Sequence, residues 1–127
     1  MKSVFVDTNI IIDFTKGHNR QLQPLLKLQQ HQQVELCTNP VVIAEFFTDK
    51  NLTTASMFKQ ARDFFSFFRC LPIDNHIGLL AGQLLRRYRL VLGDGLIAAT
   101  CLAHHLLLAT QNTRHFRSVK GLKFYRF

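Results

Sequence analysis

At 127 residues the chain fits one compact domain, residues 1–127, and leaves no room for two. Its 16 Lys+Arg stand against 8 Asp+Glu, a formal net charge of +8, which favours a polyanionic partner, with nucleic acid ahead of solubility alone. No apolar run reaches the ~18 to 20 residues of a membrane span, and MKSVFVDTN is too short and too early for a signal peptide; the expectation is a soluble, cytoplasmic protein with no membrane partner.

Lys2–Val6 is a short β-rich run ending at Asp7. QLQPLLKLQQHQQ is rich in Gln, but Leu22, Leu25, Leu26 and Leu28 recur through it at helical spacing. Val34–Cys37 reads as a second strand. Thr38-Asn39-Pro40 then supplies a capping residue and a Pro for the first turn of a helix running to about Phe47. Met57, Ala61, Phe64, Phe65 and Phe68 follow helical spacing after a cap at Thr53 or Thr54. Leu71–Ile73 is a third expected strand. Asp74 can cap a helix with Ile77, Ala81, Leu84, Leu85 and Tyr88 on one face. Gly93-Asp94 opens another, to about His104. Leu106–Ala109 is a fourth strand and Lys123–Tyr125 a fifth at the edge. Cys37, Cys70 and Cys101 are odd in number and form no CxxC pair, so they read as buried small hydrophobes in a reducing compartment.

Strands alternating with helices predict an α/β fold, a mainly parallel sheet flanked by helices. In such sheets the ligand site lies beyond the carboxyl ends of the strands, and polar residues gather there. Asp7 ends the first strand, with Thr8 and Asn9 able to fix it by local hydrogen bonds. Glu45 lies among Val41, Val42, Ile43, Ala44, Phe46 and Phe47, either on a polar helix edge or held for chemistry. Asp94 sits between Gly93 and Gly95 at a helix start, where the dipole favours its ionised form. Thr110 and Asn112 follow the fourth strand at the same rim. Taken singly, Asp7 and Asp94 are explained by helix capping, and Thr110 and Asn112 by a turn. Together, three of only eight acids converging in a basic chain call for a hard divalent cation, Mg²⁺ or Mn²⁺, which binds carboxylate oxygens and can activate water against a phosphodiester.

DTNIIIDF, Glu45 on the second of these helices, DGLIAAT from Asp94 and TQNTRHF from Thr110 resemble, in order and over nearly the whole chain, the motifs of PIN domains, and are especially similar to the VapC-like toxins. The resemblance implies a PIN-like three-layer α/β sandwich and a Mg²⁺- or Mn²⁺-dependent endoribonuclease cleaving tRNA or rRNA. It implies the toxin half of a toxin–antitoxin pair, a homodimer, and a VapB-like antitoxin whose C-terminal segment enters the active-site groove. By position it makes Asp7, Glu45 and Asp94 the catalytic, metal-holding acids, supported by Thr8, Asn9 and Thr110. The sequence departs from the pattern once. The fourth acidic place is Asn112, and the acid that some relatives carry three residues later is His115. That departure implies fewer direct ligands or weaker activity, and keeps open an inactive PIN scaffold that binds RNA or protein.

Two basic clusters are candidate phosphate contacts. One holds Arg86, Arg87 and Arg89, shortly before Asp94. The other holds Arg114, Arg117, Lys120, Lys123 and Arg126, with His115 in its midst. A solvated helix end is the alternative for the first. FFSFFR has helical spacing and reads as packing rather than base stacking. A phospho-receiver-like domain, switched at Asp74, fits only superficially, because Val6 and Thr8 deny Asp7 a second acid beside it.

Overall fold

The computed structural model describes residues 1–18 and 20–127. Five strands, β1 (Lys2–Val6), β2 (Val34–Thr38), β3 (Arg69–Cys70), β4 (Leu107–Ala109) and β5 (Lys123–Phe124), form one sheet in the order β3-β2-β1-β4-β5. Every neighbouring pair is parallel. Parallel strands need long crossovers, which the helices α1 (Thr8–Thr15), α2 (Leu22–Gln30), α3 (Pro40–Phe47), α4 (Ala55–Phe65), α5 (Asn75–Arg87), α6 (Leu92–His104) and α7 (Thr113–Phe116) provide. The flanking helices explain why Val4, Phe5, Val6, Leu36 and Leu108 have no accessible surface at all. The α/β class and the parallel sheet flanked by helices match expectation.

The order of strands places the site. The chain moves outward from β1 through β2 to β3, then crosses back to lay β4 on the other side of β1. The reversal leaves a crevice beyond the carboxyl ends of β1 and β4, where open α/β sheets bind ligands. Val6 is in register with Ala109, and the Asp7 amide donates to Ala109 O at 2.9 Å. Asp7 and Thr110 therefore leave the sheet side by side.

Three expectations need correction. The third strand is Arg69–Cys70, and Leu71–Ile73 is irregular. Its partner β2 stops at Thr38, and Pro72 has no N–H to extend a ladder; only the Leu71 amide still reaches Thr38 O, at 2.8 Å. Cys70 is exposed while Cys37 and Cys101 are buried, because β3 is a two-residue edge strand. The helix expected to open at Gly93-Asp94 begins at Leu92 with Val91 as its cap residue, so Asp94 lies inside its first turn and does not cap it. Elsewhere Thr54 caps α4 by accepting from the Met57 amide, and Asn39 caps α3 by accepting from Val41 and Val42. The FFSFFR run packs as expected: Phe65 and Phe68 are buried, and Phe67 alone of its aromatics points out.

The helix carrying Asp94 is pressed against its neighbours. A Cβ on Gly95 would meet Leu85 Cδ2 at 2.8 Å and Cγ at 2.9 Å. Cγ cannot swing clear by a change at the side-chain tip alone. Gly95→Ala is thus expected to lose stability by roughly 1–3 kcal/mol through overpacking, although alanine by itself favours a helix by about 1 kcal/mol. Urea unfolding measures this, and a midpoint at or above that of the parent protein would show that Leu85 moves aside freely.

Candidate active site

Asp7 is the most constrained acid in the crevice. It is 5% exposed. Its Oδ1 accepts from the Thr8 amide at 2.8 Å, and its Oδ2 accepts from Thr110 Oγ1 at 2.7 Å and Asn9 Nδ2 at 3.3 Å. Asp7 does cap α1, but the Thr110 bond, which joins positions 103 residues apart, has no part in capping. Asn9 Oδ1 in turn accepts from the Gln111 amide at 3.3 Å, and Gln111 Nε2 donates to Asp13 Oδ2 at 2.9 Å. Asp13 and Gln111 were not singled out in the sequence. They lock α1 onto the exit of β4, and the only hint of them was their place within the motifs DTNIIIDF and TQNTRHF.

Glu45, in the last turn of α3, is itself exposed, so burial does not hold it. Its Oε1 accepts from Thr8 Oγ1 at 2.7 Å. A Cβ on Gly93 would stand 3.3 Å from Glu45 Oε2, tighter than ordinary contact, so the missing side chain at Gly93 lets the carboxylate lie against α6. This answers the question the apolar surroundings of Glu45 left open: the helix edge is polar and the carboxylate still bends into the crevice. Near the C-terminal end of α3 the helix dipole opposes its charge, which leaves the Thr8 hydroxyl as its stabilising partner.

Asp94, in the first turn of α6, is the third acid. Its Oδ2 lies 3.7 Å from His115 Nδ1, a charge contact too long for a hydrogen bond. Burial raises the Asp94 pKa, the charges of Asp7 and Glu45 raise it further, and His115 lowers it. Burial also raises Asp7, against the hydrogen bonds from Thr110 and Thr8, and the Glu45 charge adds to the rise. Asp94 therefore feels the charges of both other carboxylates, and Asp7 feels that of Glu45. Among the described residues no Lys or Arg forms an ion pair with any of them.

A cleft of about 630 Å³ opens from Asp94 and is lined also by Arg87, Tyr88, Arg89, Val91, Arg114, His115 and Ser118. It joins the end of the first basic cluster to the start of the second. Of the two basic clusters expected to contact phosphate, Arg87, Arg89, Arg114 and His115 line it, while Arg86, Arg117, Lys120, Lys123 and Arg126 do not. Arg89 belonged to the first cluster. Tyr88, Val91 and Ser118 carried no signal beyond sequence nearness. Asn112 is exposed, and its only recorded bond is from its backbone amide to Thr110 Oγ1, at 2.9 Å. Asp74, the receiver-like candidate, accepts from the Ile77 amide as the cap of α5, beyond an edge strand.

As the side chains stand, no three Asp, Glu, His or Cys side chains among the described residues form a closed ligand group. The donor chemistry nonetheless fits a hard divalent cation. It consists of carboxylate oxygens with unspent charge at the rim of a solvent-filled cleft, where water can complete the shell. A cation there would be held by Asp7, Glu45 and Asp94.

The model of the PIN domain family matches residues 4–122. The chain belongs to the PIN domain family. Over 61 residues, 44% of the chain, this PIN domain is 44% identical to Ribonuclease VapC10 of Mycobacterium tuberculosis; that stretch spans 46% of the relative, less than half its length. Among solved structures, it is similar to a toxin–antitoxin complex from Klebsiella pneumoniae, with a TM-score of 0.78 and 26% identity over 98% of this chain and 99% of that one. VapBC2 from Rickettsia felis, solved bound to a DNA fragment from its promoter, superposes with a TM-score of 0.83 over 98% of both chains at 17% identity. That second likeness is one of fold.

The raised carboxylates have a consequence for stability. Their folded-state pKa values lie above those of the unfolded chain, so the folded form binds these protons more tightly. Stability from this source is present below the unfolded carboxylate range and is lost as pH rises through the raised folded values. At neutral pH the metal-free PIN domain carries the full cost of its acids. Asp94→Asn, which leaves the Asp7 hydrogen bonds untouched, is therefore expected to raise the melting temperature at pH 7 by roughly 2–5 °C, the equivalent of about 1 kcal/mol or less. The gain should shrink toward pH ~4, near the unfolded carboxylate pKa. Calorimetry in EDTA reads it, and a lower melting temperature at pH 7 would mean that the Asp94 charge stabilises the fold.

Proposed function

We propose that the chain is a divalent-metal-dependent endoribonuclease and the toxin half of a VapBC-like toxin–antitoxin pair. The observation that carries this reading is the gathering of three acids: Thr8 bonds both Asp7 and Glu45, Glu45 lies against Gly93, and the adjacent Asp94 lines a cleft with Arg87, Arg89 and Arg114. Acid at one end and base along the wall suit a phosphodiester that must be gripped at its flanks and attacked in the middle. The name of the Mycobacterium relative supports the ribonuclease activity.

A divalent cation, Mg²⁺ or Mn²⁺, supplies acidified water and charge neutralisation at the phosphoryl group. The protein does the rest. Thr110 and the Thr8 amide hold Asp7 in one orientation, and the Thr8 hydroxyl holds Glu45 beside it. Arg87 and Arg114 bind flanking phosphates and set the strand in place before Asp94. Those contacts read the backbone and no sequence, so a tRNA or rRNA loop would be chosen by shape.

The same reading gives the protein two partners. One is a VapB-like antitoxin, which the complexes among the structural neighbours support. The other is a second copy of the chain. Val91 and Leu92, adjacent at the start of α6, are 70% and 66% exposed, and such neighbouring apolar side chains are commonly covered by association.

The expected outcome for catalysis is that Asp7→Asn lowers cleavage of total cellular RNA by at least about 100-fold, and that EDTA abolishes it. Arg87→Ala with Arg114→Ala should weaken RNA binding and flatten its fall between about 50 and 200 mM salt. Cleavage that survives both EDTA and Asp7→Asn would overturn the metal-nuclease reading; RNA binding without any cleavage would leave an RNA-binding scaffold. For assembly, sedimentation should give twice the 14.7 kDa chain mass, and expression alone should arrest growth until an adjacently encoded partner is supplied. A monomer, or harmless expression of active protein in its own host, would remove the dimer or the toxin respectively.

A further inference from the structure

We propose that His115 is a ligand of the metal site, occupying through its imidazole the place where an acid is missing, and that it biases this centre toward Mn²⁺ over Mg²⁺. The inference rests on the metal-nuclease reading above and deepens it.

The place of the missing acid can now be assigned in space. Asn112 is exposed, and its backbone amide donates to Thr110 Oγ1 at 2.9 Å. One turn on, His115 presents Nδ1 to Asp94 Oδ2 at 3.7 Å. The next residue, Phe116, has no accessible surface, so the backbone beneath His115 is anchored in the core. The imidazole itself is 59% exposed and its recorded contact is with the Asp94 carboxylate, so little packing holds the ring in place.

The separation is informative. Two ligands each ~2.1 Å from one ion and at right angles stand about 3 Å apart. A small rotation of the ring brings Nδ1 from 3.7 Å into that range, whereas an arginine at the same place would add a charge that expels the cation. Neutral imidazole adds a donor without a charge. Imidazole suits the later transition ions best; Mn²⁺, at the foot of that series, prefers oxygen but accepts one nitrogen donor beside carboxylates and water, while Mg²⁺ takes oxygen and water almost alone. The other ring nitrogen would then face the cleft shared with Arg114 and Arg87.

The test loads the full-length protein with Mn²⁺ and needs no turnover. Pulsed electron paramagnetic resonance of a single equivalent of bound Mn²⁺ is expected to show nitrogen nuclear modulation. His115→Gln should lose it and bind Mn²⁺ about tenfold more weakly by calorimetry, with Mg²⁺ affinity changed by less than about twofold. His115→Asp should reverse the preference. Both substitutions are at an exposed position and should leave the far-UV circular dichroism unchanged. Modulation that persists in His115→Gln overturns the inference. So does its absence in the parent protein when Asp7→Asn still abolishes Mn²⁺ binding, and then the metal-nuclease reading survives. Weakened RNA binding with unaltered metal binding would make His115 a phosphate contact only. If the parent protein binds neither ion, the inference and the reading beneath it fall together.

Discussion

A buried carboxylate must be held by hydrogen bonds or give up its charge. Asp7 is where this constraint meets the fold. It terminates a central strand, caps α1 through its side chain and, across the switch in strand order, takes the hydroxyl of Thr110. Without Thr110 the same carboxylate would lose one of its closest donors, while Gln111 would still tie the exit of β4 to α1 through Asn9 and Asp13. The hydrogen bonds do not fully offset burial, since the Asp7 pKa stays raised. The site is accordingly under electrostatic load, and the surrounding packing has to keep it assembled.

That packing depends on small and polar residues among large apolar ones. Gly93 admits the Glu45 carboxylate and Gly95 admits Leu85. Behind them, Asn39 Nδ2 donates to Thr100 Oγ1 at 3.0 Å while its Oδ1 caps α3. Asn39 thus joins the start of the helix that carries Glu45 to the middle of the helix that carries Asp94. Both residues are wholly buried. An apolar pair there would pack as well, but would leave the first amides of α3 unsatisfied at about 1–3 kcal/mol each. The buried polar bond fixes the relation between the two helices that carry Glu45 and Asp94, whereas hydrophobic contact would allow them to slide.

Much of this was legible in the sequence. The alternation of short apolar strands with 3.6-period segments gave the parallel sheet, because both patterns follow directly from burial. Asp7, Glu45 and Asp94 could be singled out because acids are scarce in a chain of +8 charge. What escaped was set by partners distant in the chain. Leu71–Ile73 looks more like a strand than Arg69–Cys70 does, yet pairing follows where β2 ends, and β2 ends where Asn39 turns into α3. The starting residue of α6 was misread for a similar reason. Val91 is a poor cap by type and its side chain makes no capping bond, so the helix start is fixed by packing, beyond reach of local residue preference. Asn112 was placed after β4 by its register, and its backbone amide meets Thr110 there. The turn into α7 also carries His115 to Asp94, and no periodicity reports that.

The distribution of charge bears on how such a site can work in a basic protein. If an arginine of the cleft paired with Asp94, it would neutralise the acid and compete with a cation. The residue that makes that contact is a histidine, whose ring has a nitrogen able to act as a donor to a metal, which a guanidinium lacks. The helix termini act in the same direction. Asp7 and Asp94 both lie at the N-terminal ends of helices, α1 and α6, where the dipoles stabilise their charge without occupying a ligand position. The arginines are kept to the cleft wall, apart from the carboxylates. Attraction for a polyanion and affinity for a cation are opposite electrostatic demands. The fold keeps the two fields apart, with base along the cleft and acid at the end of the sheet.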